Sequence, residues 1–261
     1  MPGPQPFSHA ERMSRAREIA AKFQARFDVL AIGLYGSLAR GDDGPYSDIE
    51  MYCVVRGQGI DEDYEWSEGA WKAEVNVQSP DVLTAWAAAF DEFWPLTHGS
   101  CVNILPLHDP QVFFESLKGY VFDHADDEYD DLIRGVIVGE LYEFLGKIRN
   151  AAASGKTENL STLAMEMAQY GAYMIGLANR TLYTSSARMF SESRVLADKP
   201  SGYDQLCELV TSGRLESPTE ISRAVDRFWE GIEAWASKKS IPIHQKLDDV
   251  LKDPAGGENA T

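Results

Sequence analysis

The sequence predicts an α+β protein: an N-terminal domain over residues 1–125, built on a β-sheet with flanking helices, and an all-helical domain over 126–252. Two observations predict it. Short apolar runs that alternate faces recur between residues 28 and 105, bounded by Gly, Asp and Ser. From about 126 onward, apolar residues recur instead at intervals of three and four. A third observation sets the scale, since 261 residues with 44% hydrophobic content suffice for one large or two modest cores.

Residues 8–27 read as a helix, with Ser8 and Glu11 at capping-box spacing and Ile19, Phe23 and Phe27 at helical intervals. Residues 28–35 form a strand running into Gly36-Ser37, and after a loop rich in Gly and Asp a second strand carries Asp48 and Glu50 to about Val55. Strand side chains alternate, so Asp48 and Glu50 project together while Ile49 and Met51 face a core. Residues 57–69, GQGIDEDYEWSEG, read as an acidic loop. Residues 70–77 alternate as a third strand, with Trp71, Ala73, Val75 and Val77 on one face and Lys72, Glu74 and Asn76 on the other. Glu74 joins Asp48 and Glu50 if the two strands are neighbours. Pro80 opens a helix over 80–93, and CVNIL at 101–105 reads as a further strand.

The helical half begins at 126–150, which opens with five acidic residues in its first six and closes with Lys147 and Arg149, matching the helix dipole at both ends. Leu132, Val136, Leu141, Phe144, Leu145 and Ile148 give an apolar side, while Glu140, Glu143 and Lys147 share another stripe. From residue physics alone, Glu143 and Lys147 are an i,i+4 ion pair. Helices follow at 157–181, 186–197, 201–212 and 217–238, and Gly171, Ala172 and Gly176 allow close helix packing. The composition of 253–261 is that of a disordered tail.

A net charge of −17 disfavours nucleic acid as the substrate and favours a polycationic small molecule. No run approaches the length of a membrane span and the N-terminus lacks a signal-peptide core, so no membrane partner and a cytoplasmic location are expected. Cys53, Cys101 and Cys207 are odd in number and widely spaced, which suggests neither a disulfide framework nor a zinc site. His98 and His108 read as ordinary hydrogen-bonding residues.

The chemistry concentrates in LYGSLARGDDGPYSDIEMYCVV at 34–55. Two adjacent carboxylates repel each other, and Mg²⁺ between them relieves the repulsion while binding nucleotide phosphates. Gly36 lets the backbone approach a phosphate, and Ser37 and Arg40 supply donors. Asp-x-Glu alone is a weak signal. Gly-Ser followed about ten residues later by Asp-x-Glu, flanked by apolar strands, is a much stronger one.

This pattern resembles the nucleotidyltransferase superfamily of the DNA polymerase beta type. GLYGSLARGDDGPYSDIEM, with WKAEVN at 71–76, WPLTHG at 94–99 and SGYDQLC at 201–207, resembles the aminoglycoside 4'-O-nucleotidyltransferases, also called kanamycin nucleotidyltransferases, over about residues 10–240. The resemblance implies an N-terminal nucleotidyltransferase domain with a mixed β-sheet, and a helical domain carrying the general base, the acceptor pocket and the dimer contacts. It implies an Mg²⁺-dependent transfer of AMP from ATP to the 4'-hydroxyl of aminoglycosides such as kanamycin, amikacin and tobramycin, releasing pyrophosphate, by a homodimer with shared active sites.

Residue by residue, Gly36, Ser37, Arg40 and Ser47 match triphosphate-holding positions and Asp48 and Glu50 match Mg²⁺ ligands. Glu74 matches an acidic residue lining the metal and acceptor site, Glu143 the general base, and Lys147 a phosphate-binding lysine. Ser185 falls near the nucleotide, and Glu50, Glu74, Glu140 and Glu143 would meet the protonated amines of the acceptor. Gly139 departs from the pattern, standing where a relative has glutamate near the antibiotic. Two alternatives remain at this stage: a related transferase acting on a protein hydroxyl or a tRNA end, and a non-catalytic nucleotide-binding module. The acidic charge counts against tRNA, and intact Asp48, Glu50, Glu74 and Glu143 count against loss of catalysis.

Overall fold

A computed structural model describes residues 3–251. The chain forms two compact units, Met1–His124 and Ala125–Thr261. The expected tail over 253–261 lies outside the described residues.

The first unit opens with α1 (His9–Arg26), where Ser8 and Glu11 complete the expected capping box. A five-stranded mixed sheet follows, of β1 (Val29–Tyr35), β2 (Ile49–Val55), β3 (Asp61–Ser67), β4 (Lys72–Gln78) and β5 (Leu105–His108), in the order β3-β4-β2-β1-β5. The β2–β4 pair is parallel and the other three are antiparallel. Alternation sorts the side chains as expected. Ile32, Leu34, Ile49, Met51, Cys53, Val75 and Val77 are buried in one cluster with Met13, Ala16, Ile19 and Ala20 of α1.

Four local expectations are corrected. Residues 61–67 are an edge strand rather than a loop, because Tyr64 and Trp66 alternate with the acids and pack inward. Tyr64 meets Phe23 edge-on at 5.5 Å and Trp66 meets Trp71 at 6.2 Å, while the exposed carboxylates guard the edge against further pairing. The helix from Pro80, α3 (Pro80–Ala87), stops early, and a local turn replaces its end: Asp91 accepts the Phe93 N–H through its side chain and the Trp94 N–H through its backbone carbonyl. Residues 101–104 are not a strand, which begins only at Leu105. Two single turns, α4 (Trp94–Thr97) and α5 (Gly99–Val102), carry the chain to β5, an edge strand that tolerates Pro106. His98, buried between them, bonds Thr97 Oγ1 and the Trp86 carbonyl, the ordinary role expected of it. The unit closes with α6 (Phe113–Phe122), to which the sequence reading assigned no element.

The second unit is helical. The expected single helix over 126–150 is interrupted, the fourth correction: α7 (Asp126–Gly135) passes through a π-helical segment, Val136–Leu141, into α8 (Tyr142–Ser154). The Tyr142 N–H bonds the Ile137 carbonyl, a step wider than the α-helical one. Around the largely buried α9 (Leu160–Ala178) stand α10 (Ser186–Val195), α11 (Tyr203–Thr211) and α12 (Pro218–Lys239), and a short α13 (Leu247–Val250) follows. Gly171 permits the close packing expected of it, since a β-carbon there would sit 2.8 Å from Phe228 and 3.0 Å from Tyr203.

Candidate active site

Residues directly opposite in a sheet share a face, so the register defines the site. Tyr35 stands opposite Glu50, Glu50 opposite Glu74, and Glu74 opposite Glu65. One row across four strands therefore reads Glu65, Glu74, Glu50, Tyr35, with strands about 4.8 Å apart. Asp48, just ahead of β2, adds a fourth carboxylate. Like charges directly opposite are destabilising, so this row opposes the fold unless a cation joins it.

Its electrostatics show that strain. Burial, then the neighbouring Asp48 and Glu74 carboxylates, push Glu50 up to about 7, with Arg40 and Lys72 only partly opposing them. Lys72 reaches Glu65 at 2.6 Å and Asp48 at 3.8 Å, bridging the near side of the group. Glu74 takes a hydrogen bond on Oε1 from the Tyr35 hydroxyl at 2.7 Å.

The phosphate-binding candidates surround this row. Gly36 has φ +70°, and a β-carbon on it would fall 1.8 Å from Glu50 Oε2, so the carboxylate occupies the space that only glycine leaves. Gly36 opens the short turn α2 (Gly36–Arg40). The half-buried Ser37 has no side-chain partner among the described residues, and Arg40 lies 3.3 Å from Asp42. The Ser47 hydroxyl accepts from the Gly44 N–H at 3.0 Å, which folds the loop ahead of Asp48.

Two residues the sequence reading did not single out hold that loop. Arg12, 2% exposed, donates to the carbonyls of Phe7 and Gly44. Asp43 approaches Arg12 at 3.3 Å and His9 at 2.6 Å. The loop leading to Asp48 is thus fastened to α1. A cavity of about 460 Å³ beside it is lined by Phe7, Tyr46, Ser47, Asp48, Trp71 and Lys72, among others.

The remaining candidates lie in the second unit. Glu140 is half-buried within the π-helical segment, and Glu143 and Lys147 lie on α8 as an exposed pair at 2.6 Å. Glu143 raises the Lys147 ammonium above its ordinary value. Gly139 has open space where a β-carbon would stand. Ser185 caps α10 by position without a side-chain bond to the helix.

Among the described residues, no three His, Cys, Asp or Glu side chains form a group arranged to hold a metal ion. Asp48 and Glu50 fit Mg²⁺ in another way. This ion commonly takes one or two carboxylates and completes its shell with water and substrate phosphates. Burial, then the Asp48 and Glu74 carboxylates, raise Glu50, and a cation beside these acids is favoured there.

Comparisons with known proteins place the chain in a family. The family model of the KNTase C-terminal domain matches residues 111–242. Over 254 residues the chain is 40% identical to an aminoglycoside nucleotidyltransferase (4') of a Bacillus species, covering 97% of this chain and 98% of the relative. A protein of the same description from Staphylococcus aureus is also 40% identical, with the same coverage of 97% and 98%. A solved nucleotidyltransferase-like protein from Exiguobacterium sibiricum shares the fold at TM-score 0.52 and 12% identity, over 92% of this chain and 80% of that one. With 40% identity over 97% of its length, a relationship that spans both units, the chain belongs to the aminoglycoside nucleotidyltransferase (4') family.

Proposed function

We propose that the protein transfers AMP from ATP to the 4'-hydroxyl of aminoglycosides such as kanamycin, amikacin and tobramycin, releasing pyrophosphate, in the cytoplasm. The observation that carries this reading is the Glu50–Glu74 pair beside Gly36, a strained anionic surface in a chain of this family. Net charge −17 favours approach of a polycationic acceptor.

The acceptor oxygen attacks the α-phosphorus of ATP as the bond from that phosphorus to the bridging oxygen of the β-phosphate breaks, and pyrophosphate leaves. The hydroxyl proton passes to the Glu143 carboxylate, because an alcohol is a poor nucleophile at neutral pH. Gly36 admits a phosphate close to the backbone, and Ser37, Arg40, Ser47 and Lys147 hold the triphosphate, with Ser185 near the nucleotide. Held by Asp48 and Glu50, Mg²⁺ would neutralise charge on the phosphate oxygens. Glu50, Glu74, Glu140 and Glu143 receive the acceptor's ammonium groups. Glu143 and Lys147 act from the second subunit of a homodimer, which gives two shared sites.

The test is mass spectrometry of kanamycin or tobramycin after incubation with enzyme, ATP and Mg²⁺, beside the Asp48→Asn variant. A gain of one AMP, lost in the variant, supports the reading, and NMR then places the adenylyl group. No gain with any aminoglycoside overturns it.

A further inference from the structure

Tyr35 ends β1 opposite Glu50 and is 7% exposed. Its ring stacks on Tyr52 with centroids 4.4 Å apart. That contact requires only a ring, and phenylalanine would provide it. The hydroxyl has a separate task. It donates to Glu74 Oε1 at 2.7 Å and accepts from Asn76 Nδ2 at 3.0 Å. The same Asn76 nitrogen lies 3.3 Å from Glu74 Oε1, so two donors converge on one carboxylate oxygen. Oε2 has no hydrogen-bond partner among the described residues.

The surroundings explain why such a clamp is needed. Glu74 stands between Glu50 on one neighbouring strand and Glu65 on the other. A glutamate has enough rotatable bonds to swing away from two like charges, and nothing else bonded to Glu74 opposes that swing. Burial and the bond to Glu74 push the Tyr35 phenol far above its ordinary value, so it remains a donor throughout the working pH range.

We propose that Tyr35, supported by Asn76, is a positioning residue for the acceptor: it pins Oε1 of Glu74 so that Oε2 is already aimed to receive an ammonium group of the substrate. The inference rests on the reading of the acceptor as an aminoglycoside. A carboxylate fixed in advance loses less conformational freedom on binding, so the hydroxyl acts on acceptor affinity more than on chemistry.

The test is Tyr35→Phe, which keeps the stack and removes the hydroxyl. Calorimetry should show kanamycin binding weakened about tenfold, with KM following it, while nucleotide affinity and kcat change less than about twofold. Tyr52→Phe removes a hydroxyl bonded to Ser100 on the same pair of rings, and it should leave kanamycin affinity unchanged. In a Glu74→Ala background, Tyr35→Phe should have no further effect, whereas a merely structural role would persist there. Unchanged kanamycin affinity in Tyr35→Phe, or an undiminished loss in the Glu74→Ala background, overturns the inference alone. Wild-type protein that neither binds nor modifies any aminoglycoside overturns the acceptor reading and this inference with it.

Discussion

The two units each carry candidate acids, a row on the sheet and an ion-paired glutamate on α8, and they differ in what enforces them. On the sheet, backbone register sets Glu65, Glu74 and Glu50 opposite one another. Their backbones cannot separate without breaking the ladder, and burial, then the neighbouring Asp48 and Glu74 carboxylates, raise Glu50 to about 7. On α8, Glu143 is 60% exposed and closes a 2.6 Å pair with Lys147, a contact that helices make without any functional demand. The sheet row is unfavourable until a cation arrives, so its geometry already points to a ligand. The helical pair is satisfied as it stands, and its proposed part in catalysis derives from family membership.

The strongest way to break this contrast is to remove charge from each site in turn. Asp48→Asn should lower turnover by at least about a thousandfold, since it removes a proposed metal ligand and the positioning that depends on it. Calorimetric titration of Mg²⁺ with nucleotide should show weakened metal binding; retained turnover with intact metal affinity would refute the assignment. Glu143→Gln should cost about a hundredfold to a thousandfold in kcat while ATP affinity stays within about twofold. If Glu143→Gln turned over at the wild-type rate, the pair on α8 would be only the surface contact that it resembles.

Gly36→Ala sharpens the comparison from the steric side. The new β-carbon would stand 1.8 Å from Glu50 Oε2 and force that carboxylate out of the row, on a residue held at φ +70°. Turnover should fall by about tenfold to a hundredfold, and the backbone strain should cost about 1 kcal/mol. A matching substitution at Gly139, where a β-carbon meets nothing, should leave the melting temperature almost unchanged. Full activity in Gly36→Ala would show that Glu50 can serve from elsewhere.

What the sequence disclosed divides along the same line. Alternation with a period of two correctly set Glu50 and Glu74 on one face and Ile49 and Met51 on the other. Alternation does not say which strands adjoin, and Glu65 was missed because the acids around Tyr64 and Trp66 made an edge strand look like a loop. Tyr35 stood in the strand over 28–35 with no role assigned, since its partner Glu74 is 39 positions away. The π-helical segment under Glu140 left no mark either, because helical periodicity continues on both sides of Val136–Leu141. Arg12 was hidden by its type: a charged residue on an amphipathic helix is ordinarily solvated, and it takes the carbonyls of Phe7 and Gly44 and the Asp43 carboxylate to account for its burial.

The smallest effect tests the strain itself. Glu50 is raised to about 7 from an ordinary value of 4.5, so between those limits the folded protein keeps a proton that the unfolded chain has released. Stability of the metal-free protein therefore declines as pH rises through this window, and the deficit is complete above about pH 7. Glu50→Gln cannot ionise and lacks the deficit. Allowing for the partial exposure of Glu50, the variant should be more stable than wild type by about 1–2 kcal/mol at pH 8, with the advantage shrinking to nothing near pH 4.5. Thermal melts at both pH values, without metal or nucleotide, measure this difference. Adding Mg²⁺ and ATP should reverse it, since a ligand that binds only the folded wild-type row stabilises that row by mass action. Identical melting of Glu50→Gln and wild type at pH 8 would mean that the sheet row relaxes as freely as the helical pair, and the contrast between the units would disappear.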